Sequence, residues 1–199
     1  VGHINFEDET LDLSQLYLVT DGTGETSDVA SISNTHYDQW NATFVGPDWQ
    51  WQSGKTQVRL FDVSVPDAPQ ASWNFELEGN LEGSRKIGNI LYLITRYIPD
   101  IKALNLDANT LEEKEANERL ILDASASDLL PHYKVGDGDV TPLLTSGDCY
   151  APAQIDSTEG YADIITITAL DLGSKRLLSA VCLNANVDGL YSSQESLYL

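Results

Sequence analysis

The segment from residue 56 to residue 95 constrains the fold of this chain more than any other. It contains two runs in which apolar and polar side chains alternate and a third run that is almost continuously apolar. Alternation is typical of a half-buried β-strand, and a short apolar run between turn signals is typical of a buried one. Proline- and glycine-containing links separate the runs and predict turns. The sequence therefore predicts a meander of three antiparallel strands at 57–63, 71–77 and 89–95, with turns at 65–69 and 79–84.

Weaker copies of this pattern occur on both sides of the segment. The motif Leu-Tyr-Leu begins at positions 16, 91 and 197, and the spacing from Asp62 to Leu91 is close to that from Asp171 to Leu197. These similarities indicate two copies of one unit. They predict a buried strand at 15–20 and further strands at 163–171, 177–183 and 196–199.

The ordered motifs also resemble a known family. The runs VRLFDVSVPDAP, NFELEGNLEGSRKIG and ILYLITRYIP, followed by SDLLPHY, GDCYAP, ITITALDL and VDGLYSSQESLYL, are similar to secreted β-propeller domain proteins distantly related to WD-type repeats. The resemblance covers roughly residues 56–199. It implies propeller blades, each a small antiparallel sheet, and an exported protein that is secreted, periplasmic or on the cell surface. It supplies no catalytic residue.

The spacing of the repeated motifs is too long for uninterrupted blades of about 40–50 residues. We therefore expect one propeller fragment spanning 1–199, with an aromatic-rich insertion at 21–55 and a helical and acidic insertion at 99–160. Within the second insertion, Thr110 and Glu113 form a capping-box pattern that predicts a helix over 111–122. A second short helical turn is expected at 127–131.

The predicted fold class is thus all-β, with about two propeller-type antiparallel blades and a small helical insertion. A closed propeller needs at least about four blades. The predicted partners therefore include the remaining blades or another copy, which would cover the open sheet edges unless the insertions cover them.

Charge and composition narrow the functional classes. The net charge is −20, which disfavours nucleic acid because its phosphates would be repelled. No run reaches the roughly 20 apolar residues of a membrane span. The chain has neither a methionine nor a signal peptide at its start, so we interpret it as a portion of a longer protein. Cys149 and Cys182 are compatible with one disulfide and equally with two separate buried thiols.

Five residues are candidates for ligand binding. Aromatic side chains on a propeller loop stack on sugar rings or grip a protein surface, which selects Tyr37, Trp40, Trp49 and Trp51. The alternative for these four is a small core within their own insertion. Arg85 is expected to follow a strand and to face the propeller channel; the alternative is a surface residue or a salt-bridged one.

The other candidate site is acidic. Asp137 and Asp139 lie in a glycine-rich loop and offer the oxygen ligands that Ca²⁺ prefers; the alternative is a solvated turn. The three histidines are far apart in sequence and no strand-Gly-x-Ser-x-Gly motif occurs. No catalytic residue and no other cofactor is predicted, and an enzyme is the less favoured class.

These observations favour an exported, non-enzymatic binding or scaffold module for a protein or glycan. One alternative is a carbohydrate-active hydrolase or lyase that uses loop carboxylates beside the tryptophans. Another is a calcium-dependent adhesion module.

Overall fold

A computed structural model describes residues 13–20, 23–35, 54–99, 101–105, 107–151, 163–184, 191–193 and 196–198. Most of these residues lie in β-strands. In chain order the elements are β1 (Leu13–Thr20), β2 (Thr26–Thr35), β3 (Lys55–Asp62), β4 (Gln70–Glu78), β5 (Asn80–Ile87), β6 (Ile90–Tyr97), α1 (Leu111–Asp123), α2 (Ala126–Leu129), β7 (His132–Val135), β8 (Thr141–Pro142), a 3₁₀ turn (Ser146–Asp148), β9 (Cys149–Tyr150), β10 (Ile164–Asp171), β11 (Arg176–Leu183), β12 (Tyr191–Ser192) and β13 (Leu197–Tyr198).

The strands form two open sheets and a short hairpin. The first sheet has the order β1-β2-β3-β4-β7-β8, and the second has the order β5-β6-β10-β11-β9. β12 and β13 pair with each other. Neighbouring strands are antiparallel except β9, which runs parallel to β11. Each of the two large sheets therefore has four main strands and is extended at one edge by very short ones.

The core consists mainly of apolar side chains from the two large sheets. In β3 the alternating residues Thr56, Val58 and Leu60 are fully buried, while the intervening side chains are partly exposed. The ring of Phe75 stacks on Trp73 at 5.7 Å and on Tyr133 at 5.5 Å between centroids. The same buried cluster contains second-sheet residues from β6, β10 and β11, namely Leu91, Leu93, Leu170 and Cys182. Both large sheets thus contribute to a shared core.

The expectation of a single three-stranded meander at 56–95 is wrong. This segment contains four strands, because β5 occupies most of the region predicted as a turn at 79–84. The first pair belongs to the first sheet and the second pair to the second sheet. Gly79 is the only residue between β4 and β5. Its φ of +117° lies in a region that side chains rarely adopt, which lets the chain change sheets in one step.

The all-β class with a helical insertion is confirmed. Thr110 caps α1 by the predicted capping box with Glu113, and α2 has a capping box of its own between Ser125 and Asp128. α1 buries no residue. It is tied to the preceding loop because the Asn117 side chain bonds the backbone of Asn105. In the described part of the chain, none of the helices has the length and apolar character that crossing a bilayer requires.

Two expectations about the start of the chain are corrected. The strand predicted as buried at 15–20 has one exposed face, because Leu16 and Leu18 are 53% and 63% exposed. Among the described strands, it pairs only with β2. In addition, β2 lies inside the segment 21–55 that was assigned to an insertion. The long segment that separates β2 from β3 in the first sheet is therefore the shorter stretch between Thr35 and Gly54.

The motif that suggested a repeat does not occupy equivalent positions in the two sheets. Leu16 lies in the first strand of one sheet and Leu91 in the second strand of the other, so these two copies of Leu-Tyr-Leu are not equivalent. Asp62 and Asp171 are equivalent, since each ends the third strand of its sheet. Each carboxylate accepts a backbone N–H from two residues further on, Ser64 at 2.8 Å and Gly173 at 2.9 Å.

We expect Gly79→Ala to lower the free energy of unfolding by about 3 kcal/mol, against about 1 kcal/mol for Gly88→Ala. Both glycines have positive φ. A methyl group at Gly79 would lie 3.1 Å from the Arg96 carbonyl and 3.3 Å from Thr95, whereas the one at Gly88 would meet open space. Urea unfolding of both variants measures the difference. Equal losses would contradict a special role for Gly79.

We also expect Asp62 and Asp171 to make the free energy of unfolding decrease at acidic pH. Hydrogen bonds from Ser64 lower the pKa of Asp62 below the ordinary 3.8, and hydrogen bonds from Ser174 lower that of Asp171. Because these pKa values are lower in the folded than in the unfolded chain, the stabilisation is present above about pH 4 and is lost as pH falls further.

As pH falls from about 5 to about 2, the unfolding free energy of the double variant Asp62→Asn/Asp171→Asn should decrease less than that of the wild type. Glu118→Gln/Asp123→Asn, at two exposed positions of α1, removes the same number of charges and controls for the change in net charge. Denaturant titrations at several pH values give the slopes. Parallel slopes for the wild type and the double variant would refute the assignment.

Candidate functional site

Two long segments interrupt the strand pattern, one after β2 and one after β6. Both leave their sheets at the same end. In the first sheet, Thr35 at the end of β2 pairs with Lys55 at the start of β3. In the second sheet, Tyr97 at the end of β6 pairs with Ile164 at the start of β10. The crossover from β4 to β5 also lies at this end. We call the end of the two sheets marked by these strand termini and the crossover the insertion end.

Hydrogen bonds join the two sheets at the insertion end. Gly79 N–H donates to the Gly54 carbonyl at 2.8 Å, and Gly54 N–H donates to Asn80 Oδ1 at 3.1 Å. The buried hydroxyl of Thr56 donates to the Gly79 carbonyl at 2.9 Å. The residue at which the aromatic-rich segment rejoins the first sheet, Gly54, is therefore fixed to the start of the second sheet.

An ion cluster fixes the strands of the second sheet at the same end. Arg96 Nε donates to Glu82 Oε1 at 2.9 Å, and Arg96 Nη1 pairs with Asp163 Oδ2. The Asp163 carbonyl accepts from the Asn184 side chain at 3.1 Å. The cluster thus connects β5, β6, the start of β10 and the end of β11. Burial alone would lower the pKa of Arg96, but hydrogen bonds to Asp163 and Glu82 outweigh it and raise this pKa.

Residues 126–150, which we call the strap, extend both sheets. β7 pairs with β4 of the first sheet and β8 continues that edge, whereas β9 pairs with β11 of the second sheet. The strap contributes the buried residues Leu130, Leu143 and Leu144 to the core. The strap lies in sequence between β6 and β10, two strands of the second sheet. It nevertheless supplies the outermost strands at one edge of both sheets.

Two links hold the strap in place. Glu78 Oε2, at the end of β4, accepts from the His132 backbone N–H at 2.9 Å and lies 3.2 Å from His132 Nδ1. Cys149 and Cys182 form a disulfide with their Cα atoms 4.4 Å apart. The cysteines lie directly opposite each other in the parallel pairing of β9 with β11. The disulfide therefore closes the strap onto the second sheet.

The predicted aromatic residues Tyr37, Trp40, Trp49 and Trp51 lie outside the described residues. Topology nevertheless defines where their segment leaves and rejoins the sheet. It leaves β2 at Thr35 and returns at Gly54, both at the insertion end. The prediction that these four residues bind a ligand stays a prediction.

Arg85 lies within β5 and does not follow a strand as expected. Among the described strands, β5 lies at one edge of the second sheet, and Arg85 stands opposite Tyr92 on β6. It is half-buried. The sequence was misleading here because Gly83 and Ser84 look like a turn but lie in the strand.

Asp137 and Asp139 are exposed in the turn between β7 and β8. Gly136 has a φ of +53° and donates to the Asn74 carbonyl, and Gly138 N–H donates to the Val135 carbonyl at 2.9 Å. The two glycines therefore allow the tight turn between β7 and β8. Over the described ranges, no group of three or more His, Cys, Asp or Glu side chains is placed to hold a metal ion.

The Arg96 cluster and the Glu78–His132 link were not found from the sequence. Arg96 and Asp163 are 67 positions apart, and Glu78 and His132 are 54 apart. In the sequence, each of these residues appears only as a charged or titratable residue near the end of a strand. It can be matched with its partner only when the strand pairing is known.

Comparison with known proteins gives one match. A family model described as a beta propeller domain matches residues 1–199. No curated protein and no solved structure matches the chain significantly.

We expect reduction of Cys149–Cys182 to lower the free energy of unfolding by about 3–4 kcal/mol, because a bridge across 33 positions restricts the unfolded chain. Urea unfolding of the wild type with and without a reducing agent measures this loss. Cys149→Ala/Cys182→Ala is the control and should show no response to the reducing agent. An unchanged wild-type curve would contradict a stabilising role for the bridge.

Proposed function

Because this chain belongs to the beta propeller domain family, we propose that it is an exported, non-enzymatic binding module that recognises its ligand at the insertion end. The observation that carries this proposal is the common exit of both inserted segments from one end of two packed sheets. Variable loops on a rigid frame are the usual place for recognition in proteins. The fold by itself does not specify the ligand.

The rigidity of the frame supports the proposal. The insertion end is held by the Gly54–Gly79–Asn80 hydrogen bonds, by the Arg96 cluster and by the strap. Such links reduce the entropy that is lost when a loop orders around a ligand. A site of this kind presents its loops without rearranging the sheets beneath them.

The described carboxylates with clearly shifted pKa values have structural roles. In the described ranges, every carboxylate with a clearly shifted pKa has it lowered by hydrogen bonds to neighbouring residues; these are Asp62, Glu76, Glu113, Asp128, Asp148 and Asp171. A general acid for glycoside hydrolysis requires the opposite shift. The six carboxylates serve caps, turns and an ion pair.

Export is part of the same proposal and is supported by the disulfide. Disulfides persist mainly in oxidising compartments such as the periplasm or the extracellular space. The net charge of −20 favours solubility and disfavours polyanionic ligands. A neutral glycan or a protein with a basic surface fits this charge.

We expect Trp49→Ala/Trp51→Ala to weaken ligand binding about tenfold or more, because stacked aromatic rings dominate many binding interfaces. The wild type and this variant would be tested on a glycan array and on an array of extracellular proteins. Tyr191→Ala is the matched control, since Tyr191 is a 67% exposed aromatic residue of the short third sheet. It should bind as the wild type does.

Melting temperatures separate binding from folding in this experiment. If the tryptophan variant loses binding only to the extent that it loses thermal stability, or if Tyr191→Ala has the same effect, the insertion end is not the recognition site. Cleavage of an array glycan by the wild type would show an enzyme instead.

A further inference from the structure

Helix α1 contacts the rest of the chain along one narrow side. None of its residues is buried, and only Glu113, Asn117 and Leu120 are partly buried. These three residues follow one another at intervals of four and three positions, so they lie on the same side of the helix. The residues one position further along the helix are all exposed. They form a second side, which is rotated by about 100° around the helix axis.

The exposed side carries a row of residues with the spacing of a coiled-coil seam. We call Leu111, Lys114, Glu118 and Ile121 the stripe; they are separated by three, four and three positions. Leu111 is 74% exposed and Ile121 is 47% exposed, and the adjacent Leu122 is 75% exposed. Single exposed leucines are common on protein surfaces. The alternation of three and four positions, however, is the spacing by which two helices pack along a shared seam.

The stripe is complementary to itself when two copies run in opposite directions. Leu111 and Ile121 each lie five positions from Ala116, and Lys114 and Glu118 each lie two positions from it. In an antiparallel pair centred on Ala116, Leu111 of each copy therefore meets Ile121 of the other, and Lys114 meets Glu118. In the described part of the chain, neither Lys114 nor Glu118 forms an ion pair of its own. Two apolar contacts would thus flank two new ion pairs.

Charge selects the direction of the pair and its partner. In a parallel pair, identical residues face each other, so Lys114 would meet Lys114 and Glu118 would meet Glu118, and like charges repel. The net charge of −20 repels two copies at long range. This repulsion is screened beyond a Debye length of about 8 Å at physiological salt, whereas ion pairs in contact are screened less. A second copy supplies the complementary order of groups by symmetry alone.

We propose that two copies of this chain associate through the stripe on α1 as an antiparallel, two-fold symmetric helix pair. Each helix has 13 residues and presents one side, so the contact buries much less than the roughly 1,200 Å² at which stable interfaces begin. The dissociation constant is therefore expected at about 0.1–1 mM, and the chain is a monomer at micromolar concentration. Association needs no ligand. Only its consequence, that a dimer carries two ligand sites, rests on the proposed function.

Charge reversal tests the pairing. Sedimentation equilibrium without ligand, from about 20 µM to about 1 mM at physiological salt, measures self-association. Glu118→Lys sets lysine opposite lysine, and Lys114→Glu sets glutamate opposite glutamate. Each variant should weaken self-association about tenfold or more. An equimolar mixture of the two variants and the double variant Lys114→Glu/Glu118→Lys should both associate about as strongly as the wild type, because each restores both ion pairs.

Glu112→Lys is the matched control for Glu118→Lys. It makes the same change of charge at an exposed position of α1 that lies outside the stripe, and it should associate as the wild type does. The proposal is overturned if the wild type remains monomeric over the whole concentration range, if Glu112→Lys loses as much association as Glu118→Lys, or if the double variant remains monomeric.

A second measurement needs only the wild type and decides the question if a charge variant does not fold. Amide chemical shifts should change with protein concentration at Leu111 and Ile121 and stay constant at Val65, which is 59% exposed between β3 and β4. Constant shifts along α1 would contradict the proposal. Because neither experiment contains a ligand, its failure is separate from a failure of ligand binding at the insertion end.

Discussion

The architecture depends on a single backbone constraint at Gly79. There the chain leaves the last main strand of one sheet and enters the first strand of the next, with one residue in between and a φ of +117°. The absence of a side chain allows Thr95 and the Arg96 carbonyl to lie against the turn. The short crossover keeps the end of β4 beside the start of β5, and the alternating apolar residues of β3, β4 and β6 share one buried core. The hydrogen bonds of Gly54, Thr56 and Asn80 to this turn depend on the same geometry.

The strap couples the two sheets in a second way. It belongs by sequence to the connection between β6 and β10, yet it pairs with β4 of the first sheet as well as with β11 of the second. Both sheets therefore receive their outermost strands on one side from the strap, which follows β4 and β6 in sequence. The outer edges at this side of the two sheets carry short strands, a proline and a disulfide. This closure is a property of the topology and does not follow from any local motif.

Much of the strand content could be predicted from alternation and turn residues. The pattern around Phe75 and the apolar runs at Leu91 and Ile165 identified β4, β6 and β10 because their side chains face a core. The helix α1 could also be predicted, since its capping box is local. Prediction failed for β5, whose glycine and polar residues look like a turn because an edge strand buries little. It also failed for β1, where an apolar sequence suggested burial, and for the Arg96 cluster, whose members come together only through strand pairing.

Recognition at the insertion end, as proposed above, would have a definite physical basis. Side chains on the loops would provide specificity, and the frame beneath them would limit the entropic cost of binding.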